Sequence, residues 1–158
     1  MIQAGFGLLE IVLVISIVSV VSVGLILIVG NLVGVGNGTA QAVIATFLTE
    51  ETAEVARLFR DTHWSNIANL TAGVNYYLVF SGNSWATSTT PVFVDGVFDR
   101  HFTVAPVYRD GSDDITESGG TLDPDTRRIS VSVSWRARQA TTTRSFDFIL
   151  TNLFNDEV

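Results

Sequence analysis

Cysteine is missing from this chain, which excludes disulfides, thiol catalysis and thiolate metal sites together. It leaves the compartment open, because an extracytoplasmic domain with a sufficient core needs no disulfide. Lysine is missing as well: all nine basic residues are arginine, set against 16 acidic ones for a net charge of −7. That balance disfavours bulk attraction to nucleic acid or anionic lipid. Charge of either sign is scarce in the N-terminal part, where Glu10 is the only charged residue before Glu50. There are two histidines, His63 and His101, and no nucleophile elbow, phosphate-binding glycine loop or zinc spacing. The sequence therefore gives catalysis no support.

What the N-terminus does contain is a long apolar run. Residues 11–30 are Ile, Val and Leu, broken only by Ser16, Ser19, Ser22, Gly24 and Gly30. Twenty helical residues span about 30 Å, the thickness of a bilayer core. β-Branched residues are weak helix formers in water, but lipid forces the backbone to satisfy its own polar groups, and a helix does so. The serines recur at every third residue and share a drifting face that permits close helix contact; simple tolerance of serine in an anchor accounts for them equally well. A cleaved secretory signal peptide fits poorly, since the run is too long, an acidic residue stands where basic ones belong, and no small-x-small site ends it. A plain signal anchor remains open. A carboxylate at the mouth of such a run is costly unless partnered, which makes Glu10 a candidate functional residue.

After the run, Gly30, Gly34, Gly36 and Gly38 with Asn31 and Asn37 form a soft stretch. Each glycine costs a helix about 1 kcal/mol, so the reading here is a bend or a melted segment. Helical periodicity returns over residues 39–62, with Ile44, Phe47, Leu48, Val55, Leu58 and Phe59 on one face. Glu50, Glu54, Arg57 and Asp61 take the other, with Glu54–Arg57 and Arg57–Asp61 at pairing distance. The helix is expected to end near Trp64, with His63 capping it or half-buried there.

Strand patterns follow. Tyr76–Phe80 is a first strand closed by Ser81, Gly82 and Asn83. Phe102–Tyr108 is a second, with Pro106 marking an edge or an irregularity. In residues 127–138, Ile129, Val131, Val133 and Trp135 alternate with Ser130, Ser132, Ser134 and Arg136. Phe146, Phe148 and Leu150 repeat the pattern, with Thr141–Thr143 read as the turn between. His101 falls in a charged turn, Asp99-Arg100-His101, and is expected to be exposed. A one-faced antiparallel sheet needs a cover, which the amphipathic helix provides.

The opening MIQAGFGLLE resembles the prepilin signature of type IV pilins and pseudopilins. In that family a peptidase cuts after a Gly, the new N-terminal residue is usually Phe, and a Glu stands fifth in the mature chain; Gly5, Phe6 and Glu10 match. FGLLE stands where FTLIE or FTLLE is common. EETAEVARLFRDTHWSNIANL, RRISVSVSWRAR and SFDFILTNLF are similar to segments of minor pilins. The leader MIQAG carries no basic residue, unlike most family leaders, and the C-terminal disulfide of many pilins has no counterpart.

The resemblance implies an α+β pilin fold: a long N-terminal helix, half transmembrane and half amphipathic, packed on a C-terminal antiparallel sheet. Residues 1–5 would be the leader, 6–35 the transmembrane and polymerisation helix, and 36–158 the extracytoplasmic domain, including the helix 39–62. It implies cleavage after Gly5, N-methylation of Phe6, and assembly through Glu10 into a pilus or secretion pseudopilus, as a subunit of the minor kind. Expected partners are other pilin subunits, the prepilin peptidase, the assembly platform and the inner membrane, with DNA a candidate in an uptake system. The alternative is a membrane-anchored binding domain that never polymerises. No cofactor is expected. The acidic loop of residues 110–117 could offer oxygen ligands to Ca²⁺, although its spacing is not that of an EF-hand and its composition is ordinary for a turn. Arg127, Arg128, Arg136, Arg138 and Arg144 gather in one hairpin, as an edge guard, a docking surface for an acidic subunit, or a DNA contact.

Overall fold

A computed structural model describes residues 7–137 and 140–154 of the chain. The chain divides into two compact units, Met1–Ala40 and Gln41–Val158, and helix α1 (Leu8–Thr62) contributes to both. Helix α2 (Ser65–Ala68) follows. Then come seven strands: β1 (Tyr76–Ser81), β2 (Ser84–Ser88), β3 (Phe93–Val94), β4 (Phe98–Arg109), β5 (Ile115–Thr116), β6 (Thr121–Ala137) and β7 (Ala140–Thr151). The fold class is α+β, as expected.

In the first unit every Leu, Ile and Val from Leu8 to Val35 is at least half exposed. The helix is long and apolar enough to cross a membrane. The melted segment expected at Gly30–Gly38 does not occur, because α1 stays helical through all four glycines. Glycine lowers helix propensity without forbidding the helix. Ser16 and Ser19 turn their hydroxyls back onto the carbonyls of Val12 and Ile15, at 2.7 and 2.8 Å. They thereby remove their own polarity from the helix surface.

The second unit is an antiparallel sheet in the order β2-β1-β4-β6-β7, with β3 and β5 pairing the ends of β4. The alternation read in β6 is correct: Ile129, Val131, Val133 and Trp135 are buried while the serines between them face the other side. Pro106 marks an irregularity rather than an edge. β4 is a central strand whose register against β6 shifts between Pro106 and Val107, so a residue without an N–H sits where the ladder is broken. β1 and β2 form a hairpin around Gly82 and Asn83, both at positive φ (60° and 66°). Two-residue hairpin turns require that geometry.

Two expectations about the β6–β7 hairpin need correction. Thr141–Thr143 are not its turn; they pair with Arg136, Trp135 and Ser134, and the register runs on to Ala137↔Ala140. Nor does β7 bury its apolar face uniformly. Leu150 is buried and Phe148 half-buried, but Phe146 is 47% exposed, because β7 is an edge strand that the helix covers only in part.

The part of α1 within the second unit covers the sheet with a face that matches the expected one only in part: Val55 is buried and Leu48 and Phe59 pack against the core as expected. Ala45, Thr49, Thr52, Ala53, Val55 and Ala56 are buried, whereas Ile44, Phe47 and Leu58 are exposed. Small side chains win the inner face because the opposing layer is bulky: Phe98, Phe102, Val104, Ile129, Val131 and Trp135 fill the space. A second large layer from the helix would overfill it. The buried threonines donate to carbonyls one turn back, Thr49 to Ala45 at 2.8 Å and Thr52 to Leu48 at 2.7 Å, so their burial leaves no unmade hydrogen bond. On the outer side Arg57 pairs with Glu54 as expected, while Asp61 pairs with Arg60 rather than Arg57.

One charge enters this core. Arg100, on the inner face of β4, is 6% exposed. It ion-pairs with Glu51 of α1 and reaches the Leu78 carbonyl at 3.4 Å. Its guanidinium also lies 5.6 Å from the Trp85 ring centre. Burial lowers its pKa from the ordinary arginine value, and the charge and hydrogen bond of Glu51 push back. Arginine stays protonated regardless, so the pair acts as a fixed tie between helix and sheet. Glu51→Ala strands that buried cation. It should lower unfolding stability by about 1–2 kcal/mol, less than for a fully buried pair because the carboxylate side is 43% exposed. Arg100→Met, which removes the charge and keeps the stem, should cost less in the same thermal melts. A larger loss for Arg100→Met than for Glu51→Ala would contradict the tie.

Candidate functional site

The sequence singles out Gly5, Phe6 and Glu10. Gly5 and Phe6 lie outside the described residues. Glu10 stands in the first turn of α1, its backbone N–H bonded to the Gly7 carbonyl at 2.9 Å. An acidic side chain there is favoured by the positive end of the helix dipole. That goes part of the way to explaining how a carboxylate is tolerated in this company. The dipole supplies only a partial charge, however, and among the described residues Glu10 has no ion-pair partner. Beside it Ile11, Val14 and Ile15 line a shallow apolar depression of about 230 Å³. The helix therefore presents one carboxylate and, from Leu8 to Val35, otherwise only apolar and small uncharged groups with nothing covering them. What the arrangement can do chemically is bind: it offers an apolar surface and one acceptor for a cation.

The arginine cluster does not survive folding as one patch. Arg127 lies 5.9 Å from the Trp64 ring centre and donates to the carbonyls of Asp123, Pro124 and Thr126. Arg128 pairs with Glu117 at 2.6 Å. Arg136 shares a face with Ser130, Ser132 and Ser134, whereas Arg144 sits opposite Val133 on the helix side of the sheet. Arg138 lies outside the described residues. Strand alternation splits neighbours in sequence between two faces, which clustering along the chain could not reveal.

In the acidic loop the Asp110 carboxylate is committed to the turn. Asp110 Oδ1 accepts from the N–H groups of Ser112 and Asp114, at 2.8 and 3.1 Å. Arg109 bonds Asp123 at 2.7 Å and the Asp113 carbonyl at 2.9 Å. Among the described residues no group of three or more His, Asp or Glu side chains is arranged to hold a metal ion.

Both histidines make local hydrogen-bonding contacts. His63 Nδ1 accepts from Ser65 Oγ at 2.8 Å and caps the turn after α1. His101 departs from its expected exposed turn: it is half-buried in β4, 2.8 Å from Asp99 and with its ring centre 5.5 Å from that of Tyr77.

Sequence reasoning missed Arg100, Glu51 and Trp85. A signal was present: Phe98, Arg100, Phe102 and Val104 keep strict alternation once the strand is begun at residue 98. The Ser-Trp-Ala-Thr-Ser of β2 has no apolar alternation, so only the Gly82-Asn83 turn pointed to it.

The chain matches no known protein family, and no curated protein or solved structure matches it.

The loop ion pairs give a pH dependence with a definite sign. Burial raises the Asp123 pKa, but the hydrogen bonds from Arg109 and the Asp125 N–H outweigh it and leave the carboxyl below its ordinary value. The hydrogen bond from Arg128, then its charge, lowers Glu117 as well. For carboxyls depressed in the folded state, the stabilisation is present above the unfolded value, about 4, and is lost as pH falls through the folded value. Thermal stability of the detergent-solubilised chain should therefore be insensitive to these pairs from about pH 7 to 5 and fall below about 4. Asp123→Asn should lower stability at neutral pH and flatten the acid limb; an unaltered acid limb would refute the assignment.

Proposed function

We propose that this chain is a structural subunit, of the minor kind, of a type IV pilus or a related secretion pseudopilus. The observation that carries the reading is Glu10: one carboxylate, five residues after Gly5, at the start of a helix whose apolar surface lies open from Leu8 to Val35. A helix-on-antiparallel-sheet unit following that helix is compatible with the pilin-like fold that the sequence resembles.

On this reading the precursor stands in the inner membrane with its C-terminal unit extracytoplasmic. A prepilin peptidase cleaves between Gly5 and Phe6 and methylates the new amine of Phe6. The Glu10 carboxylate then gains a natural partner, the N-terminal amine of an adjacent subunit. In an apolar bundle such a pair fixes register, and removing one member leaves an uncompensated charge. Extraction by the assembly platform exchanges lipid contact for contact with other subunits' helices. The apolar run is both anchor and polymerisation surface, and the finished location is a filament at the cell surface or across the periplasm.

A second reading, a membrane-anchored domain that never polymerises, shares the apolar helix and differs in giving Glu10 no role. The two separate in a filament-shearing experiment on cells that carry the matching assembly system. Wild-type chain should appear in the sheared fraction. Glu10→Ala should remain in the membrane, with incorporation reduced about tenfold or more, since a lost pair of this kind exceeds about 1.4 kcal/mol. Equal incorporation of the variant, or no wild-type chain in sheared filaments, would overturn the proposal.

A further inference from the structure

Between the C-terminal turns of α1 and the free edge strand β2 runs a groove of about 570 Å³, in the size range of small-molecule sites. It lies wholly within the Gln41–Val158 unit, so it is present whether or not the chain polymerises. Its apolar lining is Leu58, Phe59 and Trp85; its polar lining includes Thr62, Asn66 and Ser84. Not one of the lining residues is ionisable, although the chain as a whole carries 25 Asp, Glu and Arg residues (16 acidic, 9 basic).

The indole has two neighbours within the fold. The Phe80 ring centre lies 5.1 Å from it at 59°, and the Arg100 guanidinium, itself tied to Glu51, lies 5.6 Å away. Trp85 is thus a fixed, half-buried aromatic surface rather than a loose one. Three of the polar groups around it make internal hydrogen bonds. Thr62 Oγ1 donates to the Leu58 carbonyl at 2.7 Å, Ser84 Oγ to the Ser81 carbonyl at 3.2 Å, and Asn66 Nδ2 to the Phe59 carbonyl at 3.1 Å. Each keeps lone pairs: on the two hydroxyl oxygens and on Asn66 Oδ1.

The groove therefore suits a ligand with three properties: no charge, several hydroxyls that both donate and accept, and an apolar C–H face to lie against an indole. A pyranose ring has all three. Its axial C–H bonds are polarised by neighbouring oxygens and meet the negative face of the aromatic ring, while its equatorial hydroxyls point to the rim. An anion finds no cation among the lining side chains, and a cation no carboxylate. An extended peptide pairing with β2 would match the free strand edge without needing the face of Trp85. We propose that this groove binds a neutral saccharide, stacked on Trp85 and hydrogen-bonded to Thr62, Asn66 and Ser84.

The test uses the full chain in an amine-oxide detergent, since a glycoside detergent would itself offer sugar to the groove. Maltose, lactose, cellobiose and N,N′-diacetylchitobiose are titrated by saturation-transfer NMR, with tryptophan fluorescence in parallel. Trp64 and Trp135 are 0% and 5% exposed, so a fluorescence change reports on Trp85. At least one sugar should bind saturably. Trp85→Leu should weaken it at least about tenfold. Thr62→Val, at an exposed helix end where folding is not at risk, should weaken it by about threefold to tenfold. Three results overturn the proposal: no saturable binding of any of the four sugars, undiminished binding by both variants, or saturable binding of an uncharged Thr-Val octapeptide with none of the sugars competing.

Discussion

Everything in the first unit follows from one mismatch. The backbone of α1 is satisfied internally, yet among the described residues its Leu, Ile and Val side chains from Leu8 to Val35 stay at least half exposed. Burying one Val, Leu or Ile is worth about 1.5–3 kcal/mol, so this surface represents tens of kcal/mol of unmade burial, more than the stability of a typical domain. Such a surface is suited to lipid or to other apolar helices, and the helix is long and apolar enough to cross a membrane. Glu10 is unfavourable in either setting unless a cation meets it, so a single residue links the anchoring problem to the proposed assembly chemistry.

The second unit solves a more ordinary problem with an unusual division of labour. The sheet supplies the bulk, through Phe98, Phe102, Trp135 and the Ile129-Val131-Val133 ladder, and the helix supplies closeness, through Ala45, Ala53, Ala56 and self-satisfied threonines. Close approach lets Glu51 reach Arg100 across the interface. It also leaves Ile44, Phe47 and Leu58 facing outward. The same arrangement gives the groove its wall: Leu58 and Trp85 meet there because the helix ends beside the β2 edge.

The parts legible in the sequence were those with an unmistakable period. The apolar run and the β6 alternation could be read directly, because one physical requirement dominates each; at Pro106 an edge and an irregularity were both open, and only the pairing of β4 decides for the irregularity. The helix face was read correctly at Leu48, Val55 and Phe59 and misread at Ile44, Phe47 and Leu58, where residue size was taken as a guide to burial although the sheet opposite had already filled the space. The glycines at 30–38 were read as a break because propensity was weighed without the helical residues on both sides. Thr141–Thr143 resembled a turn by composition, yet hairpin register, a property of two strands together, places them in β7. The dispersal of the arginines and the burial of Arg100 depend on which face each strand presents, and that is set only when strands pair.

The central claim is that the apolar helix belongs to a processed, assembling subunit. Intact-mass spectrometry of the chain, extracted from membranes of cells that also make the cognate prepilin peptidase, tests it most directly. The account predicts a mass reduced by residues 1–5 and increased by one methyl group. An unprocessed chain that retains Met1 would contradict it and leave Glu10 without its proposed partner.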